Sequence, residues 1–411
     1  MLSSPDRHLR LAVEGGPPVR SHPFPARRTL GSDETLAITT LMRRAELDGC
    51  ELRYAGPEQR AYEREFETFH GGGHARLVSS GTAGLYALLL ALELQRPGEV
   101  IAPAITDAGG VMPVALADYS PIPADTVRGS FIIGVKQIER CISPTTRAII
   151  LAHIGGDPAD IKPIVELAQA RGLILIEDCS QAHGATYHGA VVGTFGHAAV
   201  FSTMVGKHHC TGGQGGVVLT SSTDLAERLD QCIDRGKVRS SEGDINVRAA
   251  LNLNGSDIAA AIGRVQLRKL SHRLARRREL AARLTDATFG FQLRPVPQSP
   301  GTESAYWFVR IGFEPNRWSR VKRDILAALR AEGVPVTSWG DMPHKQPWYA
   351  SGRVFGPGSA SWKTDLSADP TPEASKAIET HFTVPLHERW TDREIDDVAA
   401  AFAKVEAAYM A

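Results

Sequence analysis

Short apolar runs alternate with amphipathic stretches along most of this chain. Leu77–Ser80, Glu99–Pro103, Arg147–Ala152, Leu173–Glu177, Ala198–Ser202 and Gly216–Thr220 are brief, mostly apolar and read as strands. Between them, Leu85–Leu94, Asp107–Leu116 and Ile161–Arg171 read as helices, and a helical pattern dominates from about 33 to 70. Strands alternating with helices predict an α/β fold, a mostly parallel sheet with helices on both faces. Ligands of such sheets sit at the carboxyl ends of the strands. Residues 1–30 are rich in Pro, Arg and Gly and read as an extended arm rather than a packed element. A long amphipathic helix, Ser256–Leu270 continuing through Ser271–Leu284, links the sheet to a second unit. That unit holds a strand (Tyr306–Phe313), a helix (Ser319–Glu332), a Pro/Gly/Trp-rich loop (337–363) and a last helix (Thr391–Tyr409). We therefore expect an arm at 1–30, a large domain at 31–270 and a small α+β domain at 271–411.

Composition narrows the function classes. With 43% hydrophobic and 22% charged residues in 411, a disordered chain, a coiled coil and a collagen-like fibre are excluded. Lys+Arg and Asp+Glu both total 46, which predicts neither a nucleic-acid nor an anionic-membrane partner and favours a small polar ligand. The five cysteines are scattered without CxxC spacing, so we expect no disulfide framework, no zinc site and a reducing cytoplasmic setting. The N-terminus has no signal-like apolar core, and Leu85–Leu94 is far short of the ~20 apolar residues that span a bilayer.

Three segments carry candidate chemistry. Ser80-Gly81-Thr82 lies at a strand-to-helix turn, where free backbone N–H groups and hydroxyls make either an anion site or a plain N-cap. Asp178 follows an apolar strand in EDCSQAHGA and suits a metal ligand, a base, a partner for a cationic ring nitrogen or a loop cap. Lys207 sits in a Gly-flanked turn of FSTMVGKHHCTGGQGGVV, a confined place for a residue that prefers solvent. A lysine held inward can condense with a carbonyl. His208 and His209 are adjacent, and neighbours on extended chain point to opposite sides, so no metal is expected there. An anion cradle, an acid and a lysine at strand ends of one sheet are the parts that pyridoxal phosphate needs.

The same segments resemble the sugar aminotransferases of the DegT/DnrJ/EryC1/StrS type, pyridoxal-phosphate enzymes of fold type I, over nearly the whole chain. The resemblance is carried by LAVEGGPPVR, SSGTAGLYALLLAL, HIGGDPADI, IEDCSQAHGATYHGAVVGTFG, FSTMVGKHHCTGGQGGVVLT and NLNGSDIAAAIGRVQLRKL. It implies an aspartate-aminotransferase-like fold, with Lys207 bonding the cofactor's aldehyde and Asp178 keeping its ring nitrogen protonated. Gln181 would reach the ring hydroxyl. Ser80, Gly81, Thr82 and Ser202 would hold the phosphate, completed by Asn252 of a second subunit in a homodimer with shared active sites.

Four positions depart from the family pattern. Asp107 stands where an aromatic residue usually stacks on the ring, Ser180 replaces an alanine, Gln214 an acid and Asn254 an arginine. The implied activity is transfer of an amino group from L-glutamine or L-glutamate to a keto-sugar or keto-cyclitol in amino-sugar, aminocyclitol or related biosynthesis. The altered ring pocket keeps a non-transferring reaction open, such as elimination, cyclisation or decarboxylation; a non-catalytic regulatory protein is the reading of another class. His153, His209, Lys237, Trp339, His344 and His387 are the candidates for contacting the substrate.

Overall fold

The structure, a computed structural model, describes residues 10–410 except 239, 242, 339, 357–358, 361 and 363–368. Seven strands form the central sheet: β1 (His74–Val78), β2 (Glu99–Pro103), β3 (Ser120–Ala124), β4 (Thr146–Ala152), β5 (Ile174–Asp178), β6 (Ala198–Ser202) and β7 (Gly216–Thr220). Their order is β1-β7-β6-β5-β4-β2-β3. Only β7 runs against the rest, antiparallel to both β1 and β6. The expected α/β class with a mostly parallel sheet is what the chain forms.

Successive residues of a strand face opposite sides of a sheet. In β4, Ile149 and Leu151 join a core that includes Tyr62 and Phe66 of helix α2 (Pro57–Phe69). Ala148 and Ile150 join the opposite core with Leu85 and Leu88 of α3 (Gly81–Ala91). Burial on both faces explains why these strands read as unbroken apolar runs. Around the sheet lie α1 (Ser32–Leu47), α4 (Ile161–Arg171) and α5 (Thr223–Ile233).

Helix α6 (Asp257–Ala287) is continuous and begins at a Ser256 cap whose hydroxyl accepts from the Ala259 amide. Its Leu267, Leu270 and Leu274 enter the sheet core, whereas Leu280 and Leu284 enter a second core. That core belongs to a small antiparallel sheet of β8 (Arg294–Pro295), β9 (Val309–Gly312) and β10 (His381–Val384). Ile311 and Phe382 of that sheet pack there with Ile325 of α7 (Lys322–Ala331) and with Val398 and Phe402 of α9 (Asp392–Tyr409). Helix α8 (Pro372–Thr380) leads into β10.

Three local expectations need correction. The helix expected over Asp107–Leu116 is a single 3-10 turn, Ala108–Gly110, followed by a short helix, Met112–Leu116. Gly109-Gly110 and Pro113 break the pattern, because glycine loses most entropy in a helix and proline is tolerated only in a first turn. Strand β3 escaped notice because of Pro121 and Pro123. It is an edge strand, and two prolines two residues apart lose their N–H groups on the same side, which can be the open one. Finally, the described part of the 1–30 arm is strapped down rather than free. Leu11 is buried in the second core, and the fully buried Glu332 accepts from the Ala12 amide at 2.7 Å and the Val19 amide at 3.0 Å.

Candidate active site

Five of the six parallel-running strands deliver residues to one end of the sheet, that of their carboxyl termini. Ser80 and Gly81 follow β1, Asp107 follows β2, His153 follows β4, Asp178 ends β5 and Ser202 ends β6. With Thr82, Ser180, Gln181, Lys207 and Gln214 they line one cavity.

The anion cradle is the N-terminus of α3. The Ser80 hydroxyl accepts from the Ala83 amide at 3.0 Å, so it serves as the cap, while the first N–H groups of the helix open toward the cavity. A side chain on Gly81 would lie 3.0 Å from the Ser202 Cβ, so only glycine lets β6 approach this closely. A Cβ on Gly109 would come within 2.4 Å of the Thr82 hydroxyl, which packs the Asp107–Gly110 turn onto the same cradle.

The carboxylate of Asp178 accepts from the Ser180 amide at 3.0 Å through Oδ1, while Oδ2 faces Gly110. Ser180 in turn accepts from the Ser202 amide at 3.1 Å, tying β5 to β6. Gln181 accepts from the Gly155 amide at 2.8 Å through Oε1, which leaves its amide donors to the cavity side. Lys207 is buried, and its Nζ lies 4.1 Å from the centroid of the Trp307 ring. Burial pulls the lysine below its usual range, with Asp178 and Asp107 pulling the other way. The net effect favours a neutral, nucleophilic amine.

His153 closes one wall. Its Nδ1 accepts from the Ala159 amide at 3.1 Å, so Nε2 carries the hydrogen and donates to Glu177 Oε2 at 3.2 Å. Burial alone would raise Glu177, but His153 and the Gly193 and Gly196 amides outweigh it and hold the carboxyl below its usual range. His153, Glu177 and Cys179 lie close enough to suggest a metal site among the described residues. Both imidazole nitrogens are already engaged, so His153 has no lone pair to offer.

Not every expected residue reaches this cavity. His209 is fully buried beneath the lysine turn, where its Nε2 meets the Tyr62 hydroxyl at 2.5 Å. His208 points elsewhere, to the Ala305 carbonyl at 3.0 Å, as adjacency predicts. In this chain Lys237 lies outside the cavity, with Nζ 3.3 Å from both Asp244 and the Tyr54 hydroxyl. His344 is buried against Thr371 and His387 bonds the Pro25 carbonyl, so both serve packing. Asn252 is exposed and pairs through its backbone with Asp234; Asn254 donates to its side chain at 2.8 Å. Trp339 lies outside the described residues. Trp307 was missed, since nothing in its sequence neighbourhood distinguishes it from a strand residue.

The lysine turn rests on a buried relay. The Ser202 carbonyl accepts from His183 Nε2 at 2.8 Å, His183 Nδ1 meets His209 Nδ1 at 3.3 Å, and Tyr62 donates to His209 Nε2. A carbonyl can only accept, so neutral imidazoles make the direction of every bond unique. Burial pulls His183 down to about 3, His70 down to about 4, and His208 and His209 well below the usual 6.5. The unfolded chain therefore binds protons near pH 6.5 that the folded chain refuses. Stability is full above that pH and falls as pH drops toward 4, by about 1.4 kcal/mol per pH unit for each such histidine. Thermal melts should show a midpoint dropping steeply between pH 6.5 and 4; a flat midpoint would contradict a neutral histidine cluster.

The residues present fit pyridoxal phosphate. The glycine-lined helix N-terminus suits a phosphate, Asp178 suits a protonated ring nitrogen, and Lys207 is an amine kept reactive by burial. A model of the DegT/DnrJ/EryC1/StrS aminotransferase family matches residues 39–403. The chain is 30% identical to the L-glutamine:2-deoxy-scyllo-inosose aminotransferase of Micromonospora echinospora, over 96% of this chain and 97% of the relative. It is also 30% identical to the protein of that name from Streptomyces fradiae, with the same coverage. Among solved structures, an aminotransferase from Streptoalloteichus hindustanus matches at a TM-score of 0.79 and 27% identity, covering 92% of this chain and 97% of that one. One from Psychrobacter cryohalolentis matches at 0.83 and 25% identity, covering 94% and 99%.

Proposed function

This chain belongs to the DegT/DnrJ/EryC1/StrS aminotransferase family and is a pyridoxal-phosphate-dependent aminotransferase, and on that premise we propose that it moves the amino group of L-glutamine to a keto-cyclitol. The observation that carries the reading is the single cavity where Lys207, Asp178 and the α3 N-terminus meet. When bound there, the cofactor supplies an aldehyde that condenses with amines and a ring that takes up electrons. Gly81 and Thr82 would bind its phosphate with backbone N–H groups. Asp178 would hold the proton on the ring nitrogen, and Gln181 would orient the ring through its amide. The Lys207 amine takes the proton from the donor's α-carbon and later delivers one to the acceptor carbon. Positioned acid–base help of this kind is worth about 10²–10⁴-fold.

Asp107 favours a neutral polyhydroxyl acceptor. It is exposed at the cavity, its Oδ1 caps the Gly109 amide at 2.8 Å, and it gives the cavity a second carboxylate beside Asp178. A nucleotide-linked sugar would bring a diphosphate toward that charge, whereas a free cyclitol ketone brings only hydroxyls that a carboxylate can accept from. The relatives named for 2-deoxy-scyllo-inosose support the same choice.

A second copy of the chain fits the exposed segment that carries Asn252. Ile245, Val247, Leu251 and Ile258 are all exposed there, and a homodimer would cover them and bring Asn252 to the partner's cradle. The described cysteines are all free thiols, which supports a reducing, cytoplasmic setting. No helix among the described residues is long and apolar enough to cross a membrane.

The test is a coupled assay with L-glutamine and 2-deoxy-scyllo-inosose, read as formation of the aminocyclitol. Turnover with the cyclitol and little with a nucleotide diphosphate keto-sugar is expected, and Asp107→Asn should narrow that preference. The reverse preference would defeat the acceptor assignment.

A further inference from the structure

We propose that Arg27, delivered by the N-terminal arm and held by Glu388 of the C-terminal unit, is a positioning residue that aims Lys207 into the cavity. The inference rests on the assignment of Lys207 made above.

The lysine sits in a turn whose own hydrogen bonds are few. Lys207 donates its amide to Met204 O at 3.1 Å, Val205 donates to Gly213 O at 2.8 Å, and Gly206 has φ +96°. Two carbonyls bracket the lysine, that of Gly206 just before it and that of His208, the residue after it. Arg27 takes both: Nη1 donates to Gly206 O, and Nη2 donates to His208 O at 3.2 Å. A guanidinium is a rigid planar fork, so bridging these two acceptors fixes the Gly206–Lys207 and His208–His209 peptides that bracket the lysine.

The fork is itself fixed. Arg27 Nε donates to Glu388 Oε1 at 3.1 Å, while Arg277 Nε donates to Glu388 Oε2 at 2.8 Å. Arg277 is almost wholly buried and also donates to the Tyr306 carbonyl at 2.6 Å, one residue before Trp307. Trp307 returns to the turn by donating its indole N–H to Gly206 O at 3.4 Å, and its ring covers Lys207 Nζ. Arg273 adds a longer contact to His208 O at 3.4 Å. One connected network thus holds the backbone that carries the lysine and the ring that flanks its amine. Its members come from the arm, α6 and the C-terminal unit, all far from the turn in sequence.

The consequence is geometric. An amine that must reach two carbon atoms in turn is sensitive to its aim, and a 1 Å misplacement costs about 100-fold. Arg27→Ala should lower kcat about 10–100-fold with little change in KM. It should also shift the pH at which the holoenzyme's visible band titrates, a readout that fold stability alone does not move. Arg27→Lys should recover only part of both, because an ammonium cannot bridge two carbonyls as a planar fork does. Glu388→Gln should shift both in the direction of Arg27→Ala. Arg20→Ala is the control: Arg20 ties the same arm to Glu394 and Asp397 at 2.8 and 2.6 Å without touching the turn. It should leave the spectrum and kcat unchanged.

A wild-type spectrum and turnover in Arg27→Ala would overturn the proposal. So would an Arg20→Ala variant that copies Arg27→Ala, since the arm would then matter only as a strap. If Arg27→Ala does not accumulate, Arg27→Lys and Glu388→Gln carry the test, and wild-type behaviour in both overturns it. An inactive Lys207→Ala beside a normal Arg27→Ala removes the clamp and leaves the function standing; an active Lys207→Ala removes the assignment on which the clamp depends.

Discussion

Lys207→Ala should reduce turnover by at least about 10⁴-fold, since it removes the amine proposed both to bond the cofactor and to move the proton. The loss should not come from unfolding. The turn that carries the lysine is held by backbone and by neighbours: the Arg27 fork, the Ala305 carbonyl on His208 and the Tyr62–His209–His183 relay. None of these uses the lysine side chain. Far-ultraviolet circular dichroism of Lys207→Ala should therefore match the parent, and its melting profile should match that of the cofactor-free parent. A variant that keeps more than a hundredth of the parent kcat would assign the proton transfer to another group.

Asp178→Asn is the second large effect, with kcat expected to fall about 10²–10³-fold, the usual cost of removing one preorganised electrostatic partner. The substitution is nearly isosteric. An asparagine Oδ1 can still accept from the Ser180 amide at 3.0 Å, so the β5–β6 edge should survive. What is lost is the negative charge proposed to keep a proton on the ring nitrogen. An amide would present N–H to that nitrogen and favour its neutral form, which is a poor electron sink. Cofactor binding should persist through Lys207 and the α3 cradle, so the purified variant should stay yellow while turning over slowly. Parent-like kcat in Asp178→Asn would contradict the role given to this carboxylate.

Much of the sheet was legible because its strands are buried on both faces. Ala148–Leu151 and Ala198–Phe201 can be nothing but interior, and their ends mark where Asp178 and Ser202 must emerge. β3 was not legible, because two prolines disguise a strand that needs its hydrogen bonds on one side only. The site's polar members Ser80 through Thr82, Asp178 and Lys207 were legible for the same reason, whereas Asp107 was marked only by the family resemblance.

Residues brought in by tertiary packing were not. Arg27 and Trp307 approach Lys207 from segments that carry no local mark of the site. His209 misled in the opposite way. It stands two positions from the lysine, but its ring faces α2, where burial and Tyr62 claim it. His344 and His387 lie in the loop-rich C-terminal unit that suggested substrate contact, yet both are spent on Thr371 and on the Pro25 carbonyl. Proximity in sequence marks an edge of the sheet; which side chains turn inward at that edge is decided by what packs beneath it.

The most direct test is the visible spectrum of the purified protein before and after L-glutamine is added with no acceptor present. The yellow band should disappear as the amino form of the cofactor appears, with one keto acid released per site, and Lys207→Ala should show neither change. A yellow parent protein that keeps its band in L-glutamine and in L-glutamate, releasing no keto acid, would contradict an amino-transferring role for this site.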